Sequence, residues 1–162
     1  MRVLGVDPGL AATGYGVVES TDGKISLIEG GVIRSNSDDP IDRRVGEVFT
    51  GILEVIKEFH PDVLAMEEVY SHYKHPRTAI IMAHARGAVL AAAHQAGVPV
   101  LPYPSTTIKS SLTGNGRAKK EQVQRMVLDI LALPGPIEPL DTSDALAAAL
   151  CHINQQTGAL AL

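Results

Sequence analysis

The sequence predicts an α/β fold in which helices flank a mixed sheet of five strands. Residues 2–34 hold three short apolar segments joined by tight turns, which is typical of antiparallel strands. A long amphipathic helix follows, and beyond it two further strand patterns alternate with helical ones, which favours parallel strands. The length of 162 residues and the hydrophobic content of 45% suit one compact domain over residues 1–162.

The antiparallel part of the sheet is predicted at residues 2–7, 14–19 and 25–34. Pro8-Gly9 supplies the turn after the first strand, because proline and glycine together favour tight reversals. Asp22-Gly23 is typical of the hairpin that joins the second strand to the third. These turns indicate three consecutive strands that pair as neighbours.

An amphipathic helix over residues 40–59 connects the third strand to the fourth, and Pro40 suits its first turn. Its apolar face is formed by Ile41, Val45, Val48, Phe49, Ile52, Leu53 and Ile56. The fourth strand follows at residues 62–67. A right-handed helical crossover can place this strand parallel to the first. If the two strands are neighbours, Asp7 and Glu67 emerge side by side at one edge of the sheet.

The rest of the chain alternates between helices and one more strand. The predicted segments are an alanine-rich helix over residues 78–96, a strand over residues 98–101, a helix from Pro104-Ser105, and helices over residues 118–132 and 141–155. Arg86 lies within the alanine-rich stretch, and a charge there is costly in lipid, so no membrane span is expected. No signal peptide is expected either, and the single cysteine, Cys151, fits a reducing cytoplasm.

Four acidic residues lie at the ends of predicted elements. Asp7 and Glu67 close apolar strands, whereas Asp141 and Asp144 stand one helical turn apart where the last helix begins. Carboxylates without neighbouring cysteine or histidine are the ligands that Mg²⁺ and Mn²⁺ prefer, and these ions bridge to phosphate oxygens. Two alternatives stay open. Glu68 competes with Glu67, because successive strand side chains face opposite ways, and acids in a first helical turn also serve as caps.

The basic residues are concentrated in the middle of the chain. Residues 69–125 contain eight lysines and arginines and one acid, Glu121, so this segment carries +7 although the formal net charge of the chain is −4. Such a segment indicates a nucleic-acid contact surface, although clustered charges also occur on ordinary solvated faces. The DNA contacts predicted from it include Lys74, Arg77, Arg117 and Lys119.

Five motifs follow one another along the chain: Gly5-Val6-Asp7-Pro8-Gly9, Thr13-Gly14-Tyr15-Gly16, Ala65-Met66-Glu67-Glu68-Val69-Tyr70, Ala85-Arg86-Gly87-Ala88 and Asp141-Thr142-Ser143-Asp144-Ala145-Leu146-Ala147. As a set they resemble the RuvC family of bacterial Holliday-junction resolvases. The resemblance implies a ribonuclease-H-like fold and a homodimer that resolves four-way DNA junctions by paired, symmetric nicks in recombination and repair. It also implies two Mg²⁺ ions per subunit, for which Mn²⁺ can substitute, and a junction-binding partner and a branch-migration motor, RuvA and RuvB.

The resemblance assigns residues as well. The family's catalytic, metal-binding acids fall on Asp7, Glu67, Asp141 and Asp144. This favours Glu67 over Glu68. The family's active-site lysines fall on Lys109 and Lys120, which are therefore added to the predicted DNA contacts. Its junction-stacking aromatic falls on Tyr70, where phenylalanine is common. The implied products carry a 5′ phosphate and a 3′ hydroxyl.

The alanine-rich helix over residues 78–96 is the predicted dimer contact, because it is apolar on more than one face. The apolar residues in question are Ala79, Ile80, Met82, Ala83, Val89, Leu90 and Ala93. The small residues Ala83, Gly87 and Ala91 would let two such helices approach closely. A charge at Met82 or Val89 is expected to give monomers. The alternative is a helix buried entirely within one subunit.

Two other classes of protein share part of the pattern. Asp-x-Gly with a nearby Thr-Gly also occurs in actin-like sugar kinases and chaperone ATPases, where the loop binds phosphates. Those proteins need two such domains and an adenosine-binding motif, which 162 residues cannot supply. A ribonuclease-H-like module that only binds DNA is the third possibility, and the presence of all four acids argues against it.

Overall fold

Five strands form one mixed sheet in the computed structural model, which describes residues 1–69 and 75–158. The strands are β1 (Arg2–Asp7), β2 (Ala12–Thr21), β3 (Lys24–Arg34), β4 (Val63–Glu67) and β5 (Val100–Tyr103). They are arranged in the order β3-β2-β1-β4-β5, in which the first three are antiparallel and the last two are parallel to β1. The predicted α/β sheet is thereby confirmed.

The central strand, β1, determines where the acidic residues meet. It pairs antiparallel with β2, where Asp7 lies opposite Gly14. On its other side it pairs parallel with β4, where the last partners are Val6 and Met66. Because parallel neighbours end at the same edge of a sheet, Asp7 and Glu67 emerge together. The sequence only allowed β1 and β4 to be neighbours, and the structure shows that they are.

Helices cover both faces of the sheet. They are α1 (Ile41–Phe59), α2 (Pro76–Ala96), α3 (Ser105–Thr113), α4 (Lys120–Ile130) and α5 (Leu140–Thr157). Side chains of a strand alternate between faces, so Val3 packs with the cluster that includes α3, α4 and α5, whereas Leu4 packs with α1 and α2. Two apolar cores therefore hold the sheet between them.

Three glycines let α5 lie directly against the sheet. A Cβ atom on Gly5 would overlap the carbonyl group of Ala145, and one on Gly14 would overlap the carbonyl group of Asp141. At Gly16 it would run into the Leu146 side chain. Backbone can approach a strand this closely only where the strand lacks a side chain. The first turn of α5 consequently lies over the carboxyl end of β1.

The prediction for the fifth strand was wrong by two residues. Residues 98–99 close α2 instead, because Gly97 adopts a left-handed conformation with φ of 70°. The Val98 N–H then donates to the carbonyl oxygen of Ala93 at 2.9 Å, which completes the helix cap. The strand begins only after this cap, and Pro102 is tolerated in it because β5 forms an edge of the sheet.

The expectation for one residue of α2 was also wrong. Val89 is fully buried in the core between α2, α1 and the sheet, so a charge there would disrupt the subunit and not merely separate two subunits. The helix begins at Pro76, two residues earlier than predicted. Ala93 of the predicted contact is fully buried as well, whereas the exposed residues of that contact are Ile80, Ala83, Gly87, Leu90 and Ala91. Nowhere in the described ranges is a helix both long and apolar enough to cross a membrane.

Candidate active site

The end of β1 and the end of β4 supply the first two acids of the site. Asp7 is the last residue of β1 and is partly buried, whereas Glu67 is the last residue of β4 and is exposed. The buried hydroxyl of Thr13 fixes the turn after Asp7, since it donates to the Gly9 carbonyl oxygen at 2.6 Å. This hydrogen bond thus fixes the path of the backbone just after Asp7.

The first turn of α5 supplies the other two acids. Asp141 and Asp144 lie there, on either side of the buried residues Thr142 and Ser143. The Thr142 hydroxyl donates to the carbonyl oxygen of Gly31 in β3 at 3.0 Å, which ties this turn to the sheet. Together with the close contact at Gly14, this bond holds the turn beside Asp7.

The electrostatics of Asp7 show that the four acids share one site. Burial raises the pKa of Asp7 from 3.8 to about 7, and the negative charges of Asp144, Asp141 and Glu67 add to the rise in that order. Lys120 opposes it. Like charges disfavour the ionised form of a carboxyl group, so the three other acids must lie close to Asp7. The other three acids therefore lie within electrostatic range of Asp7, whereas their joint role as metal ligands stays a prediction.

Lys120 provides the positive charge at this site. It is the first residue of α4, and its Nζ donates to Asp144 Oδ2 at 2.6 Å. This hydrogen bond is the main cause of the raised pKa of Lys120. Both side chains are substantially exposed, so the pair contributes at most about 1 kcal/mol to stability. The main effect of the pair is therefore to hold the ammonium group of Lys120 beside the acidic residues.

Two clefts meet at Glu67. One is lined by Lys109 and Lys120 together with Glu67 and Asp144, so it presents two cations and two anions to solvent. The other cleft lies on the opposite side of Glu67. Its lining residues are Asp7, Pro8, Glu67, Glu68, Val69, Met82 and Arg86. The site is thus an open, charged groove along the ends of β1 and β4.

The donor set suits a hard divalent cation, although it is not closed around one. Among residues 1–69 and 75–158, no three acidic, histidine or cysteine side chains are grouped tightly enough to hold a metal ion. The raised pKa of Asp7 nevertheless shows that the negative charges of Asp144, Asp141 and Glu67 lie near its carboxylate. Glu67 is exposed, so its side chain has room to rotate towards Asp7. All four donors are carboxylate oxygens, which Mg²⁺ and Mn²⁺ prefer.

The other predicted DNA contacts are spread more widely. Arg117 and Lys119 precede α4 and adjoin the groove through Lys120. Arg77 lies in the first turn of α2 and lines a separate groove with Arg44 and Ile80. The remaining two predicted contacts, Tyr70 and Lys74, lie outside the described residues.

One residue at the groove was not predicted to have a role there. Arg86 of α2 lines the cleft with Asp7 and Glu67, and its Nη1 donates to the Glu67 carbonyl oxygen at 2.6 Å. Burial lowers the pKa of its guanidinium, and the charge of Glu68 opposes that effect. In the sequence Arg86 argued against a membrane span, contributed to the basic segment and belonged to the motif Ala85-Arg86-Gly87-Ala88, but none of these signals indicated a contact with Glu67.

Comparisons with known proteins agree with this arrangement. The family model described as crossover junction endodeoxyribonuclease RuvC matches residues 3–152. A RuvC from Rhodopirellula baltica is 46% identical over 149 residues, which are 92% of this chain and 84% of that protein. The structure of Thermus thermophilus RuvC in complex with a Holliday junction substrate superimposes with a TM-score of 0.91 at 39% identity, covering 98% of this chain and 97% of that one.

A more distant structure shares the fold alone. The yeast mitochondrial Holliday junction resolvase Ydc2 superimposes with a TM-score of 0.68 at 15% identity, covering 97% of this chain and 79% of that one. The family match spans β1 to α5 and therefore includes every element that carries an acid of the groove. The chain belongs to the RuvC family of crossover junction endodeoxyribonucleases.

Proposed function

We propose that this chain resolves four-way DNA junctions, using Asp7, Glu67, Asp141 and Asp144 as its catalytic, metal-binding acids. One observation carries the proposal: Asp7 is partly buried within electrostatic range of three other carboxylates, and burial, followed by these negative charges, raises its pKa to about 7. A folded protein gains nothing in stability from such a cluster, because like charges repel. A cluster of this kind is suited to binding cations, and divalent ions near phosphates are the basis of phosphodiester hydrolysis.

The proposed cofactor is a pair of Mg²⁺ ions per subunit, with Mn²⁺ as a substitute. Dependence on a divalent metal is expected throughout the family, whereas the identity and number of ions are our proposal. Bound Mg²⁺ activates water and stabilises negative charge on the leaving oxygen. Asp7 lies within electrostatic range of the other three acids and is our first candidate among the residues that would hold the ions. Glu67, Asp141 and Asp144 would complete the two sets.

Lys120 and Lys109 are proposed to act on the phosphate and the DNA strand. A hydrogen bond holds Lys120 against Asp144, so its ammonium group lies at the acidic cluster. There it can offset the charge that develops on the phosphate. Lys109 lines the same cleft and is positioned to hold the strand. Hydrolysis that leaves a 5′ phosphate and a 3′ hydroxyl would give nicks that a ligase can seal.

We further propose a two-fold dimer in which α2 packs against its copy. A junction must be nicked in two strands of like polarity, so two equivalent sites are required, and two-fold symmetry provides them. One exposed stripe of α2 has helical spacing and is formed by Ile80, Ala83, His84, Gly87, Leu90, Ala91 and His94. Space around Gly87 is open, which would allow a second helix to come close. This stripe keeps the exposed residues of the contact predicted from the sequence and leaves out the buried Val89 and Ala93.

The family also suggests the setting in which the enzyme works. Partners equivalent to RuvA and RuvB would hold the junction and drive branch migration. A cytoplasmic location is consistent with the single free, buried thiol of Cys151. Tyr70 remains our candidate for the aromatic that stacks on a base at the crossover.

The decisive experiment is metal-dependent nicking of a synthetic four-way junction, with a linear duplex of the same sequence as substrate control. We expect symmetric nicks in two strands with Mg²⁺ and none with EDTA. Asp7→Asn and Glu67→Gln should abolish nicking while the protein still binds the junction. Asp141→Asn and Asp144→Asn should behave in the same way.

Glu68→Gln is the matched control for Glu67→Gln, because it removes an adjacent charge of the same type. We expect it to remain active. Near-normal nicking by any of the four acid variants would remove that residue from the site. ATP hydrolysis without nicking would favour the kinase and ATPase class, and tight junction binding without any nicking would favour a module that only binds DNA.

A further inference from the structure

The end of β4 is held by a side chain from α2. The parallel pairing of β4 with β1 finishes at Val6 and Met66. One residue later, the Glu67 carbonyl oxygen accepts a hydrogen bond of 2.6 Å from Nη1 of Arg86. Beyond its last partner in β1, the end of β4 is therefore held by β5 on one side and by this guanidinium on the other.

The backbone of β1 cannot provide that support. Its chain turns away after Asp7, and the next residue is Pro8, which has no N–H to donate. On the other side, the Glu68 N–H already donates to the carbonyl oxygen of Tyr103 in β5 at 2.8 Å. Arg86 thus supplies the donor missing on the β1 side. A guanidinium suits this task because its donors have a fixed, planar geometry.

We propose that Arg86 is a positioning residue for the Glu67 carboxylate. The Glu67 carbonyl belongs to the peptide group between Glu67 and Glu68, whose side chains alternate in direction. Fixing this peptide plane decides which of the two carboxylates faces Asp7. Without Arg86 the end of β4 is free to rotate, and Glu67 loses its fixed approach to the metal-binding cluster. The inference rests on the proposed role of Glu67 as a metal ligand.

The same contact connects the site to the proposed dimer stripe. Arg86 is partly buried and points to the groove, whereas its neighbour Gly87 is exposed on the stripe of α2. The helix α2 therefore contacts Glu67 through Arg86 and presents the neighbouring Gly87 on the proposed dimer stripe. Arg86 therefore lies between Glu67 and the part of α2 that is proposed to contact the second subunit.

Mn²⁺ binding without DNA tests the inference directly, measured by the loss of the free-ion signal in electron paramagnetic resonance. Arg86→Ala should weaken Mn²⁺ binding about 10-fold or more, the usual effect of removing a group that orients a ligand. It should raise the Mg²⁺ concentration needed for half-maximal single-turnover nicking by a similar factor. Junction affinity in EDTA should stay close to that of the unchanged protein. Arg43→Ala, an exposed arginine of α1, is the control and should change neither quantity.

A double substitution separates positioning from other roles. If Arg86 acts through Glu67, Arg86→Ala should add nothing to the Mn²⁺ defect of Glu67→Gln. Additive defects would overturn the proposal, as would a loss of junction affinity with unchanged Mn²⁺ binding, which would make Arg86 a DNA contact. If Arg86→Ala fails to fold, Arg86→Lys provides the same test, with an intermediate defect expected. Because Mn²⁺ binding is measured without DNA, the comparison holds even if the unchanged protein nicks no junction.

Discussion

Replacing Asp7 with asparagine should stabilise the metal-free protein at neutral pH while abolishing nicking. The pKa of Asp7 lies at about 7 in the folded chain against an ordinary value of 3.8. The folded state therefore favours the protonated form, and ionisation opposes folding. Asparagine carries no charge at any pH, so the substitution removes the penalty without removing the side-chain volume.

The size of the expected gain in stability follows from the difference between the pKa of Asp7 in the folded chain and its ordinary value. Each tenfold change is worth about 1.4 kcal/mol, so a pKa of about 7 in place of 3.8 corresponds to roughly 4 kcal/mol. Solvent reaches the partly exposed carboxylate, which reduces the expected gain to about 2–4 kcal/mol. The contribution of Asp7 is most favourable below pH 4 and is lost as the pH rises through about 7. The gain of the variant should therefore grow from pH 4 to pH 7 and then level off.

Urea unfolding in EDTA at several pH values measures this gain. Asp38→Asn, which changes an exposed aspartate in the turn before α1, is the control and should show no comparable growth. Adding Mg²⁺ should stabilise the unchanged protein more than Asp7→Asn, because the variant lacks a ligand. If the difference in unfolding free energy between Asp7→Asn and the unchanged protein were the same at pH 4 and pH 8, the raised pKa of Asp7 would be refuted.

Two further predictions concern the surroundings of Asp7, and a third concerns the proposed dimer stripe of α2. Lys120→Met should raise the pKa of Asp7, because Lys120 lowers it, and urea unfolding should show the pH-dependent loss of stability moving to higher pH. Gly14→Ala should cost about 1–3 kcal/mol of stability and impair nicking, because the new methyl group displaces Asp141; urea unfolding and the junction assay measure both. Leu90→Glu should give folded monomers in sedimentation, since Leu90 is 41% exposed on α2, whereas a folded dimer would contradict the stripe.

The acids could be predicted from the sequence because they close periodic elements. Asp7 and Glu67 each follow an apolar run, and a strand pattern has a clear end. Their meeting depended on β1 and β4 being neighbours, which a right-handed crossover permits but does not require. The choice of Glu67 over Glu68 came from the family resemblance, because period-two alternation cannot tell which face of the strand carries the site.

Other features could not be predicted, for physical reasons. The end of α2 depends on the left-handed conformation of Gly97, which shifts β5 two residues along the chain. Helical spacing could not show which side of α2 is buried, because the helix is apolar on more than one face; Val89 was consequently assigned to the wrong one. The role of Arg86 depends on a backbone carbonyl that lies 19 residues earlier in the chain. No local pattern encodes such a contact.

Three contacts hold the negatively charged residues of the groove close to one another. Gly14 removes the side chain that would separate α5 from the sheet, and Thr142 ties the acidic turn to β3. Arg86 supports the end of β4 beyond its last partner in β1. These contacts supply the packing and hydrogen bonds that offset the repulsion around Asp7. The same contacts keep the other three acids within electrostatic range of Asp7, which is the arrangement that the proposed metal site requires.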